Sequence, residues 1–163
     1  MAENAADLEK GARPVLIPNF LNEEEVRLIC AAASDMDTQD DECWTEYGEG
    51  AHEALFLHSG GYFQETCPAL LEKMLEHLRE KASSGLCDLQ KTLNVRCIEF
   101  HTYRVGGGLS DPLHIDEGST LTLSVQLSHP GKVENGGLFS TTDGGGNVTE
   151  HELKRGDAIL FRS

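Results

Sequence analysis

The sequence predicts a mainly β fold with flanking helices (α+β), a small β-barrel or jelly roll buttressed by helices on one outer face. Three observations predict it. Residues 119–128 alternate with period two, with Leu121, Leu123, Val125 and Leu127 on one side and Thr120, Thr122, Ser124, Gln126 and Ser128 on the other. Strand-like runs then recur at Leu138–Thr141, Val148–Leu153 and Asp157–Arg162, separated by Asn135-Gly136-Gly137, Asp143-Gly144-Gly145-Gly146 and Arg155-Gly156. Two amphipathic helical patterns come before them. The 163 residues suffice for one domain with its own core. We therefore expect a frayed polar segment at 1–13 and a single domain at 14–163, helical over 14–92 and β-rich over 93–163.

In chain order, Val15-Leu16-Ile17 reads as a short buried strand closed by Pro18. Asn22 then caps a helix, Glu25 completes a capping box, and Leu21 staples onto Val26. Val26, Ile29, Cys30 and Ala33 form its apolar stripe, and the polar 34–42 stretch ends it. Residues 43–65 are aromatic and Gly-rich without a clear period (Trp44, Tyr47, Phe56, Tyr62, Phe63) and read as loop with short extended pieces. A second helix opens with Pro68 in its first turn, carries Leu71, Met74, Leu75 and Leu78 along one face, and closes at Ser83-Ser84-Gly85. A Leu/Met stripe of this kind is packing. Residues 93–105 read as one long extended segment, ended by a turn at Gly106-Gly107-Gly108.

Charge narrows the partners. Thirteen basic residues against 28 acidic ones leave a net charge of −15, and a polyanion needs Lys and Arg to displace its counterions. Nucleic acid is excluded as an expected partner. Runs of apolar residues are short, so no membrane span is expected, and the N-terminus lacks the basic start and apolar stretch of a signal peptide. The cysteines (Cys30, Cys43, Cys67, Cys87, Cys97) are odd in number with no C-x-x-C, the pattern of reduced thiols. The expected setting is intracellular, in the cytoplasm.

The sharpest chemical feature is His114-Ile115-Asp116. On a strand, residues i and i+2 point to one side about 6–7 Å apart, so an imidazole and a carboxylate can approach one ion together. That pair is two-thirds of the 2-His-1-carboxylate facial triad that holds non-haem Fe(II). The triplet is common by chance, and its bland reading is an ordinary strand His and Asp. The Gly106–Gly108 run lacks the Lys-Ser/Thr of a P-loop, and no Ser or Cys stands in a nucleophile motif with a His base.

The order of pieces adds information. Phe100-His101-Thr102-Tyr103-Arg104-Val105-Gly106-Gly107-Gly108 is followed by Pro112-Leu113-His114-Ile115-Asp116 and the alternating strand. Glu134-Asn135-Gly136-Gly137-Leu138-Phe139 and Gly156-Asp157-Ala158-Ile159-Leu160-Phe161 come next. From Val95 to Ser163 this resembles the catalytic domain of the Fe(II)- and 2-oxoglutarate-dependent dioxygenases, most closely the prolyl 4-hydroxylase-like branch. The resemblance implies a double-stranded β-helix (jelly roll) lacking its last strands, with His114 and Asp116 as metal ligands. It also implies Tyr103 and Gln126 as cosubstrate contacts, with Thr122 and Ser124 facing the same way as Gln126. Without the resemblance, that polar face reads as one turned to solvent. Fe(II), 2-oxoglutarate as cosubstrate and ascorbate are the implied cofactors. The implied reaction is hydroxylation of a C–H bond on a protein or small-molecule substrate, coupled to conversion of 2-oxoglutarate to succinate and CO₂.

In the family a second His ligand follows the Gly-Asp-x-x-Leu-Phe strand, and a basic 2-oxoglutarate anchor comes later still. This sequence reaches Phe161-Arg162-Ser163 with no position matching either, and Arg162 stands too early to be the anchor. His101, on the same strand face as Tyr103, is the nearest other imidazole; neither it nor His52, His58, His77, His129 or His151 is assigned to the metal. The expectation is an oxidoreductase fold with turnover absent or poor. The alternative is a non-catalytic cupin-like β-barrel binding module. Missing last strands leave Ala158–Phe161 as an apolar sheet edge, which invites edge-strand self-association.

Overall fold

The computed structural model describes residues 13–36, 43–81, 93–109, 114–129, 138–143 and 145–162. The expectations for residues 1–12, Ser83-Ser84-Gly85, Cys87, Pro112-Leu113 and Asn135-Gly136-Gly137 lie outside the described residues. The elements in order are β1 (Val15–Ile17), α1 (Glu23–Asp35), β2 (Trp44–Tyr47), β3 (His52–Phe56), a 3-10 turn at Ser59–Gly61, α2 (Tyr62–Thr66) and α3 (Pro68–Lys81). β4 (Glu99–Tyr103), β5 (Leu121–Val125), β6 (Phe139–Thr142), β7 (Val148–His151) and β8 (Ala158–Arg162) follow. This is a mixed α+β fold with three small antiparallel sheets, which among the described residues do not close into a barrel. No helix among them is long and apolar enough to cross a membrane.

Two compact units divide the chain, one of Met1–Val26, Lys81–Asp88 and Asp111–Ser163, the other of Arg27–Glu80 and Leu89–Ser110. In the first, β8 lies between β1 and β5, with Leu16 opposite Ile159 on one side and Leu123 opposite Leu160 on the other. Ala158, Ile159 and Leu160 are fully buried, as a continuous apolar run paired along both edges should be. The expected open edge at Ala158–Phe161 is therefore corrected: β8 is central, because a strand from the far end of the sequence covers it. Phe161 meets Phe139 of the β6–β7 hairpin at a ring separation of 5.6 Å and a tilt of 48°.

The turn before β8 ties this unit together. Gly156 has φ +88, and a Cβ there would stand 2.3 Å from the Leu21 carbonyl oxygen. Only glycine fits. Its carbonyl accepts from Leu21 N–H at 2.9 Å, and its N–H donates to Gln126 O at 2.8 Å. The buried Asp157 accepts from the backbone N–H groups of Asn19 (2.8 Å) and Lys154 (2.9 Å). Arg155 donates to both carboxylate oxygens of Glu23 and to the Leu127 carbonyl.

At the start of α1, Asn22 Oδ1 accepts from Glu24 and Glu25 N–H at 2.9 Å, and Glu25 returns a carboxylate oxygen to Asn22 N–H at 2.8 Å. This is the capping box the sequence announces. Leu21 and Val26, the expected staple, are both buried.

The second unit carries the sheet β2–β3–β4. Residues 43–65, expected as loop with short extended pieces, form a regular antiparallel hairpin followed by helical turns, with Trp44 opposite Leu55 and Tyr47 opposite His52. The inward positions of β3 are His52 and Ala54, so its alternation is not one of obvious hydrophobes. Leu57 and Phe63 fill the core beside it, and Tyr62 O–H donates to Ala32 O at 2.8 Å. Pro68 opens α3 as expected. Of the long segment expected at 93–105, only Glu99–Tyr103 is strand, the part that finds β3 as a partner. The turn after it needs glycine, since a Cβ on Gly107 would fall 1.8 Å from the Ala51 carbonyl oxygen.

Candidate functional site

His114 and Asp116 sit in the first unit on a loop rather than on the strand the spacing predicts. The chain bends at Asp116: Glu117 N–H donates to Ile115 O at 3.0 Å, and Ser119 N–H donates to Asp116 O at 2.9 Å. Gly118 supplies φ +82 within this turn. The two side chains nonetheless converge. His114 Nε2 lies 3.3 Å from Asp116 Oδ1, the long end of hydrogen-bonding range. Ile115 between them faces solvent.

The carboxylate is held from its other side. Thr122, the second residue of β5, donates its hydroxyl to Asp116 Oδ2 at 2.5 Å. Thr122 stands opposite Phe161 in the β5–β8 ladder. The loop pair is thereby tied to the sheet through Thr122, which leaves Oδ1 on the His114 side. The half-exposed imidazole and partly exposed carboxylate are reachable from solvent.

This donor pair suits a divalent cation. Imidazole nitrogen and carboxylate oxygen keep roughly 2.0–2.2 Å from a zinc ion, which sets two adjacent donors about 3 Å apart. Among the described residues no group of three His, Cys, Asp or Glu side chains is arranged to hold a metal. The fit therefore extends to two protein donors.

Gln126 lies just beyond β5, not within it. Its backbone closes against the β8 turn, donating to Asp157 O at 2.9 Å and accepting from Gly156 N–H at 2.8 Å. Its side-chain amide donates to Ser128 O at 3.1 Å, an internal tie for one of its two amide hydrogens.

Tyr103 belongs to the second unit. It stands opposite His52 in the β3–β4 ladder and stacks on that ring at 4.3 Å and 19°. Burial, then the negative charge of Glu99, raises its phenol pKa above the ordinary value. His52 Nε2 is in turn 2.8 Å from His101 Nδ1, and His101 Nε2 is 3.1 Å from Glu99 Oε2. Sequence reasoning set His52 apart from any site. The legible signal was the i, i+2, i+4 set Glu99, His101, Tyr103; what was not legible is the hairpin strand that brings His52 to it.

Two further histidines have hydrogen-bond partners outside these clusters. His58 Nδ1 accepts from Ile98 N–H at 3.1 Å, and His151 Nε2 pairs with Thr141 Oγ1 at 2.8 Å.

A scan against protein-family models, a search of curated proteins and a search of solved structures each find no match to this chain.

Proposed function

We propose that the chain is a prolyl 4-hydroxylase-like domain of the Fe(II)- and 2-oxoglutarate-dependent dioxygenases, built toward the double-stranded β-helix and holding iron through His114 and Asp116. The observation that carries this reading is the approach of His114 Nε2 to Asp116 Oδ1 at 3.3 Å, with Asp116 pinned by Thr122. When bound, Fe(II) supplies the oxidative decarboxylation of 2-oxoglutarate to succinate and CO₂ coupled to hydroxylation of a C–H bond, with ascorbate as the supporting reductant.

The chain's own residues bind and orient. His114 offers an imidazole nitrogen, and Asp116 offers a carboxylate oxygen whose direction Thr122 fixes through the hydroxyl proton it gives to Oδ2. Gln126, in the same unit as the metal pair, is the residue proposed to meet the cosubstrate. Two protein donors hold a metal less tightly than three, so turnover by this chain is expected to be absent or poor.

The two-donor count among the described residues favours a second reading, a non-catalytic cupin-like binding module. Anaerobic Fe(II) titration of the intact chain, with and without 2-oxoglutarate, separates the two. Binding that is strengthened by 2-oxoglutarate and lost in His114→Ala and Asp116→Ala supports the dioxygenase site. Absence of binding in the wild-type chain, or binding unchanged in both variants, overturns it in favour of the module.

A further inference from the structure

Across the second sheet three rings stand in one row. Tyr47, His52 and Tyr103 are successive partners in the ladder, so their side chains share one face. Tyr47 stacks on His52 at 4.9 Å and 28°, and Tyr103 stacks on it from the opposite neighbouring strand at 4.3 Å and 19°. His52 itself is buried, whereas both tyrosines are half exposed.

At the ring edge His52 meets His101, with Nε2 and Nδ1 2.8 Å apart and ring centroids 5.1 Å apart. The centroid distance equals the nitrogen separation plus one ring radius at each end. The two nitrogens therefore face each other along a line. Lone pairs aimed this way do not converge on a common metal ion; they require a shared hydrogen.

The direction of that hydrogen follows from Glu99. Its carboxylate accepts from His101 Nε2–H, which leaves His101 Nδ1 as the acceptor for His52 Nε2–H. We infer that Glu99, His101 and His52 form a proton-holding chain that keeps Tyr47 and Tyr103 stacked at neutral pH and releases them when both imidazoles are protonated. One added proton preserves the bond, as imidazolium donating to imidazole. A second sets N–H against N–H between two cations, and the bond is lost.

The surroundings agree with that order. Burial, and then the charge of His101, lowers the proton affinity of His52. From β2, Glu46 and Tyr47 approach; from β3, Glu53; from β4, Glu99, His101 and Tyr103, with Arg104 just after. Glu53 is paired with Arg104 at 2.7 Å, and strand alternation puts that pair and Glu46 on the opposite face from His52. Glu99 is held ionised first by His101, with Cys97 and His58 adding to the same effect. The phenol faces of Tyr47 and Tyr103 favour a cation and offset part of the burial effect.

The test is the imidazole nitrogen and tyrosine ring NMR spectrum of the intact chain from pH 8 to 4.5. The expected result is a two-step, coupled titration of His52 and His101, with His52 below the ordinary imidazole range. Tyr47 and Tyr103 ring resonances should move with the second step. In His101→Gln the His52 midpoint should rise. Independent single-step titration of the two histidines in the wild-type chain overturns the inference, and so do tyrosine resonances that ignore the second step. Should His101→Gln fail to fold, the wild-type titration decides alone.

Discussion

Asp157 accepts the backbone N–H of Asn19 at 2.8 Å across 138 residues of sequence, and its second oxygen takes the Lys154 N–H at 2.9 Å. A buried carboxylate used in this way does for the β1–β8 end of the sheet what a cap does for a helix. Asp157→Ala leaves both donors without their acceptor and should lower stability by roughly 1–3 kcal/mol. The readout is the urea midpoint. An unchanged midpoint would show that water replaces the carboxylate at no cost.

The α1 cap gives a graded series. Asn22→Ala removes the acceptor for Glu24 and Glu25 N–H and should cost about 0.5–2 kcal/mol, whereas Asn22→Gly should cost only a few tenths. Thermal unfolding followed by far-ultraviolet circular dichroism compares the two. Equal losses would mean that the side-chain oxygen, missing from both variants, sets the cost and that the backbone freedom of glycine does not.

Two glycines separate strain from collision. Gly146 has φ +81 with open space around its Cβ position, whereas Gly156 has φ +88 and the Leu21 carbonyl oxygen 2.3 Å away. Gly146→Ala should cost roughly 1 kcal/mol, the lower end expected for a non-glycine residue held in this region. Gly156→Ala should cost clearly more, because β8 must shift from the start of α1. Similar stability of the two variants would count against the close approach.

Thr122→Val keeps the shape of the β5 residue but removes the proton given to Asp116. If His114 and Asp116 bind a metal, affinity should fall roughly 10–100-fold, the usual effect of losing such an outer hydrogen bond. Titration with Mn(II) followed by electron paramagnetic resonance measures it. Undiminished affinity would separate Thr122 from the site.

Acid should weaken the second sheet before it affects carboxylates elsewhere. The His52 pKa is lowered on folding from its ordinary 6.5, chiefly by burial, so the unfolded chain binds more protons as pH drops. Its contribution is fully present above 6.5 and is lost as pH falls through the lower folded value. Glu99, lowered by its hydrogen bond from His101, acts in the same sense, with its contribution present above 4.5 and lost below. The thermal midpoint should therefore decline from pH 7 downward, and His52→Gln should flatten the upper part of that decline. Parallel curves for wild type and variant would remove His52 as the cause.

What could be read from the sequence is what local chemistry fixes. Asn22 and Glu25 announce α1 because a cap and its partner are three residues apart, and Pro68 marks α3 because its ring suits a first helical turn. The β2–β3 hairpin escaped notice because its inward positions are His52 and Ala54, and its pairing with β4 joins residues about fifty positions apart. Ala158–Phe161 reads as an edge for the same reason: the covering strand is Val15–Ile17. At the candidate metal pair the residue types were legible but the geometry was not. A turn at Asp116, rather than strand alternation, brings the two side chains together.

The placement of β8 has a consequence for biogenesis. While the chain is being made, Val15–Ile17 leaves the ribosome long before its partner Ala158–Leu160 exists. The nascent chain carries that apolar segment unmatched until Ala158–Leu160 has been made, and β5 waits for the same strand. That sheet therefore closes only once β8 has been made, with a long loop to close, the kind of step at which holding chaperones act.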